Sequence, residues 1–196
     1  MTMQRLWPHF AQLGDGFAGG FSADLYDPVW LRCIDLVVEE LQGLAGSGDL
    51  EEIASTSIVA AEQPWAERIF GTNAASLQLA YPGIIVWPFQ QEVHNAGEGP
   101  NDRDEIVYPV AISFVEKGAD VTGDDAMLVD RTAHRRHMIW REKVSRKFRK
   151  GTWPTITEIR ESDVRYQLYA IPELYKSPGL FHGAIIVDFK AWEARD

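Results

Sequence analysis

Two apolar runs stand out near the middle of the chain: Ile84-Ile85-Val86-Trp87-Pro88-Phe89 and Ile106-Val107-Tyr108-Pro109-Val110-Ala111-Ile112-Ser113-Phe114. Both are rich in β-branched and aromatic side chains and bounded by turn residues, so both predict strands. Between them lies Gln90 to Glu105, with Gly97, Gly99, Pro100 and several acids. That connection is too long for a tight hairpin, and its composition predicts an exposed, mobile loop. Long loops carried on a sheet tend to meet partners rather than build cores.

The pattern on either side is mixed. Asp27-Pro28 offers an N-cap followed by proline in the first turn. Val29, Leu31, Ile34, Leu36, Val37, Val38 and Leu41 then give a broad apolar helix face that stops near Gly46-Ser47-Gly48. Ile53 to Ala61 alternates as a strand, with Ile53, Ser55, Ser57 and Val59 on one side. Pro64 to Phe70 predicts a short helix closed by Gly71, and Thr72 to Leu79 is ambiguous. After a polar turn from Lys117, Asp124 or Asp125 caps a helix running to about Lys150. Its stripe is Val129, Ala133, Trp140, Val144 and Phe148. Thr155 to Glu161, Arg165 to Ile171 and Gly183 to Phe189 predict further strands, with Ile185, Val187 and Phe189 on one face. Pro172, Pro178 and Gly179 mark a loop between the last two.

Residues 1–26 follow neither period. Trp7, Phe10, Phe17 and Phe21 are spread among Gly14, Gly16, Gly19 and Gly20. Glycine loses the most entropy on ordering, so this stretch predicts an arm whose aromatics anchor on another surface or fold back onto the domain. The expected organisation is an arm at 1–26 and one α+β domain at 27–196. A mostly antiparallel sheet would be covered by the leading helix and the long helix.

Composition narrows the function classes. At 196 residues, 45% hydrophobic and 24% charged, the chain suits a single folded domain. One cysteine, Cys33, excludes an internal disulfide and a multi-cysteine zinc site, and its neighbours place it on an apolar helix face. No run of about 18 apolar residues predicts a membrane span. No basic segment leads into an apolar run, as a signal peptide would, so a reducing cytoplasm is the expected place of synthesis. Net charge is −10, which opposes nonspecific nucleic-acid binding. Yet nine of the 19 Lys and Arg residues fall between Arg131 and Lys150, where Glu142 is the only acid. That segregation suits complementary contacts between subunits or partners.

Candidate chemistry is sparse. His134 and His137, with Asp130 one turn earlier, have the spacing for a divalent metal, but among five nearby arginines that repel a cation. His94 lies near Glu92, Glu98, Asp102 and Asp104, without a nucleophile or oxyanion site beside it. There is no Gly-x-Ser-x-Gly elbow, phosphate-binding loop or dinucleotide fingerprint. No catalytic residue, metal or cofactor is therefore expected. The basic helix has three readings: a solvated face, a nucleic-acid surface, or a mate for an acidic patch on another subunit.

From about Asp27 to Phe189 the order of residues resembles the tail terminator, or tail-completion, proteins of long-tailed bacteriophages. The resemblance rests on the leading amphipathic helix, Tyr81-Pro82-Gly83-Ile84-Ile85-Val86, and an acidic-glycine loop ending Asn101-Asp102-Arg103-Asp104-Glu105. It continues with Ile106-Val107-Tyr108-Pro109-Val110 and a helix ending Trp140-Arg141-Glu142-Lys143-Val144-Ser145-Arg146-Lys147-Phe148. The arm lies outside the pattern. The resemblance implies a non-enzymatic α+β subunit that forms a homohexameric ring in the virion. The ring would cap the tail tube and join it to the head-side connector or stopper, and DNA would pass through without specific binding. The expected interface residues are Glu92, Asp102 and Asp104 on the acidic side, and Arg135, Arg136, Arg141 and Lys147 on the basic side. Alternatives are another head–tail connector component, or a small nucleic-acid-binding protein using 131–150.

Overall fold

A computed structural model of the chain describes residues 28–61, 81–89, 93–95, 103–117, 131–167 and 180–194. The expected arm, the short helix at 64–70, the ambiguous stretch 72–79 and the loop around Pro172 to Gly179 lie outside them. The first helix, α1, spans Val29–Gly46. It starts after Pro28, which occupies the N-cap and makes no side-chain cap; the expected capping residue, Asp27, is outside the described residues. The helix ends where Gly48 takes φ +81°, a conformation that suits glycine. Its apolar positions become a buried face of Cys33, Ile34, Leu36, Val37, Val38 and Leu41.

The strand expected from Ile53 to Ala61 is shorter than its alternation suggests. Ser55–Ser57 form a single 3-10 turn, and β1 is only Ile58–Ala60. Ile53 and Ser57 are buried all the same, so the alternation reflects burial rather than strand backbone. Strand β2 (Gly83–Pro88) follows a cis Tyr81–Pro82 peptide. Strand β3 is Val93–Asn95 and β4 is Arg103–Lys117. Helix α2 spans Arg131–Phe148; its expected cap at Asp124 or Asp125 lies outside the described residues. One continuous strand, β5 (Ile159–Gln167), bridges the gap expected between strands at 155–161 and 165–171, and Trp153 to Glu158 form turns closed by backbone bonds; 168–171 lie outside the described residues. The last strand, β6 (Leu180–Ala194), extends well beyond the expected Gly183–Phe189 at both ends.

The fold is α+β. The sheet order is β1-β2-β4-β6-β5, with β3 also on β4. Every pairing is antiparallel except β1 with β2. Strand β6 pairs along the whole of β4, from Arg103↔Ala194 to Lys117↔Leu180. Strands β2 and β3 therefore share the other edge of β4, one after the other. Pro88 faces Val110 and Val93 faces Val107, so the β2–β3 line carries two extra residues between them. The mobile loop expected over Gln90 to Glu105 is thus corrected at 93–95 and 103–105. Three residues give no readable period, but the long β4 offers them an edge.

Both described helices pack on one face of the sheet. The main core joins α1 and α2 to Ile84, Val86, Ile106, Tyr108, Val110, Ile112, Phe114, Ile185, Val187 and Phe189. Ile85, Ala111, Ser113, Val115, Ala184 and Ile186 point the other way and are also buried. Burial on both sides explains why the strands read as continuous apolar runs rather than strict alternation. Ser113 satisfies its hydroxyl there with the Trp87 indole N–H, 2.9 Å away.

Candidate subunit interface

Helix α2 presents three kinds of position. His137, Trp140, Val144 and Phe148 recur at helical spacing and are buried against the sheet. Trp140 donates its Nε1–H to the Glu51 carbonyl at 3.2 Å. Phe148 packs against Trp153 and Phe189, with ring centroids 5.4 and 6.4 Å apart. Ser162 Oγ donates to the Phe148 carbonyl and accepts from Trp153 Nε1 at 2.8 Å, so the end of the helix is tied to β5.

A second group is ionic and turned toward the body. Glu116 follows the parity of Ile112 and Phe114 on β4, so its carboxylate faces the helices; the residue is only 5% exposed. It receives the Arg136 guanidinium, and its Oε2 lies 3.2 Å from His137 Nε2. Arg136 also reaches Glu52 Oε2 at 3.1 Å. His137 is 2% exposed, edge-on to Phe114 and 5.0 Å from the Trp140 ring. Gly183, opposite Phe114 on β6, makes room for it: a Cβ there would lie 3.3 Å from His137 Nδ1. Farther along, Lys143 pairs with Asp49 at 3.2 Å and Lys147 with Glu40 at 2.7 Å. The Ser47 hydroxyl and Lys143 hold the Asp49 carboxyl below its usual range. Glu40, Asp49 and Glu52 come from α1 and the turn after it, so α2 is clamped to α1 by charge as well as to the sheet by packing.

The third group faces outward. Arg135, Met138, Ile139, Glu142 and Arg146 lie along one exposed side of α2. Met138 is 49% exposed and Ile139 44%. Arg141 Nη1 lies 3.9 Å from Met138 Sδ, and Arg146 pairs with Glu142 at 2.8 Å. Exposed i,i+4 pairs of this kind contribute only ~0.3–0.5 kcal/mol. The outward side is therefore an apolar pair set among arginines.

At the far end of the sheet, the start of β4 carries charges of both signs, Arg103, Asp104 and Glu105. Asp104 faces Glu193 across β4 and β6, and Glu105 faces Asn95. Val93, paired with Val107, is 51% exposed.

The residues expected at an interface thus separate. Arg135 belongs to the outward side of α2, Arg141 is half-buried between that side and the sheet, and Arg136 and Lys147 are engaged within the subunit. Asp104 is half-buried on β4. Glu92, Asp102 and the arm residues Trp7, Phe10, Phe17 and Phe21 lie outside the described residues. His137, which sequence spacing offered as a metal ligand or as a polar position on a solvated or interface-facing helix, is instead a core residue beside Glu116, because its place fills the gap in the Ala133–Trp140–Val144 stripe. The His94 and His134 side chains and Asp130 are outside the described residues. Among the described residues there is no group of three or more His, Cys, Asp or Glu placed to hold a metal, and no helix is long and apolar enough to cross a membrane. Glu116 was legible but unread: counting by twos from Ile106 puts an acid on the core face, and an acid there requires a cation. No protein-family model matches the chain, and no curated protein matches it.

Proposed function

We propose that this chain is a structural subunit that assembles into a ring, ends a bacteriophage tail tube and joins it to the head-side connector. One observation carries the reading: strongly segregated charge along the chain. Nine bases and one acid give 131–150 a formal charge of +8, which leaves −18 on the rest of a chain whose net charge is −10. Packing of Trp140, Val144 and Phe148 on the sheet, with the Glu116–Arg136 pair, holds α2 in place, so its outward charges stand on a preorganised element. Preorganisation lowers the entropic cost of association. A contact between two unlike patches is heterologous and closes into a ring when the rotation allows. The α+β fold agrees with the resemblance in order of elements.

The test is genetic and visual. Phage particles assembled without this protein should show overlong or headless tails by electron microscopy, and supplying the protein should restore normal ones. Tails of normal length, joined to heads, in its absence would rule the role out. DNA binding through 131–150 is the competing reading. It predicts salt-sensitive retention of duplex DNA, lost with Arg135→Glu and Arg141→Glu.

A further inference from the structure

Helix α2 turns one stripe of side chains away from the sheet: Arg135, Met138, Ile139, Glu142 and Arg146. Its centre is apolar, because Met138 and Ile139 stand exposed on a helix whose other side is packed in the core. The charges are placed symmetrically about that centre. Arg135 lies one turn before the pair and Glu142 one turn after it. Glu142 is also the only acid between Arg131 and Lys150. We infer that this stripe is self-complementary. Two copies of the chain pack their α2 helices antiparallel across a two-fold axis, with Met138 of each against Ile139 of the other and Arg135 of each beside Glu142 of the other. The pair goes beyond the ring reading and does not rest on it, since a two-fold contact closes on itself and a ring needs a second, unlike one.

Three features favour a second copy as the occupant. Two helices run in opposite directions about the midpoint of 138 and 139 bring position 135 opposite 142 twice, so one sequence supplies both halves of both ion pairs. The pair that Glu142 already makes with Arg146 lies in solvent, with both side chains well exposed, so the carboxylate can be shared with an incoming arginine at little cost. The rest of the helix charge does not oppose the contact. Arg136, Lys143 and Lys147 face Glu116, Asp49 and Glu40 within the subunit. The basic last turn, Arg146 to Lys150, falls at opposite ends of an antiparallel pair, whereas a parallel one would set it against itself. A phosphate backbone, by contrast, has no use for Met138 and Ile139 and is repelled by Glu142.

Charge reversal tests the two-fold by sedimentation equilibrium on the full chain. Arg135→Glu sets two acids together at each contact and Glu142→Arg sets two bases together. Each should weaken the dimer step about tenfold or more, because like charges then meet twice. An equimolar mixture of the two variants should dimerise about as tightly as wild type, because both contacts then join opposite charges. The chain carrying both reversals should do the same alone. Rescue in the mixture also shows that both variants fold. Single variants that dimerise like wild type, a mixture no tighter than its components, or a wild type that stays monomeric at its highest soluble concentration would each overturn the inference. A dimer that responds as stated, with no larger closed assembly, would support the pair while removing the ring reading.

Wild-type protein supplies a second readout. Met138 should oxidise slowly with hydrogen peroxide in concentrated solution and about tenfold faster once diluted below the dimer step, followed by peptide mass spectrometry. Equal rates at the two concentrations would overturn the contact. So would duplex DNA that protects Met138 where concentration alone does not, because the stripe would then serve a polyanion.

Discussion

Individual residues in this protein are constrained mostly where aromatic and polar groups meet. A Cβ at Gly151 would come within 2.6 Å of the Trp153 ring and 2.9 Å of Ser162 Oγ. Neither neighbour is free to move: Trp153 is packed between Phe148 and Phe189, and Ser162 bridges Phe148 and Trp153. Gly151→Ala should therefore destabilise by about 2 kcal/mol, the range of an overpacked core, measured as a shifted midpoint in urea without a change in slope. A midpoint within error of wild type would mean that this corner is looser than its geometry. Cys33 illustrates the opposite case. Burial pushes its thiol well above the ordinary range, so it packs as an inert small hydrophobe, as its apolar neighbours suggest from sequence.

The elements are held by a few ion pairs that no local period announces. Glu116→Gln keeps the shape at the β4–α2 contact but removes the charge facing Arg136 and His137. Breaking one member of a buried pair strands the other. Arg136 is partly exposed and keeps Glu52, so the expected loss is about 2 kcal/mol, below the fully buried case. Arg135→Gln on the outward side should change stability by less than about 0.5 kcal/mol. Denaturant melts of the two variants side by side check the assignment, and equal losses would refute it. The Arg32–Glu158 pair ties α1 to the turn before β5. Hydrogen bonding to Arg32 holds the Glu158 carboxyl below its ordinary value of 4.5. An acid depressed on folding contributes stability that is complete above the unfolded value and is lost as pH falls through the folded one. Melting temperature should therefore fall below about pH 4.5 partly through this pair, and Glu158→Gln should flatten that fall while leaving the neutral-pH slope alone. An acid limb identical to wild type would exclude the pair as a contributor.

The same scale shows what sequence could reveal. The α+β class, α1, α2, β2, β4 and the β6 core were legible because each carries enough apolar positions for a period or a run to emerge. The short β1 and β3 were not, because three residues establish no period and their pairing comes from the neighbouring strand. Strand β5 was misdivided because Ile156 and Ile159 are buried from a turn and a strand start, which periodicity cannot separate. Of the candidate interface, Arg135 could be found from charge density alone. Charge density could not separate it from Arg136, Arg141 and Lys147. That division depends on acids supplied by α1, its following turn and β4, far away in sequence.

As a whole molecule, the chain joins a basic helix to an otherwise acidic body, with exposed apolar residues in each. Under the ring reading proposed above, those features would supply the contact between copies. They also predict ionic-strength dependence, because contacts built on charge around a small apolar centre weaken as salt screens them. The central claim is that copies of this chain bind one another. It is tested most directly by a native mass spectrum of the full-length protein at micromolar concentration, alone and mixed with the tail-tube protein. The account predicts one closed multiple of the subunit mass, a hexamer on the family resemblance, that dissociates as salt is raised before spraying. Monomer alone in both samples would contradict it.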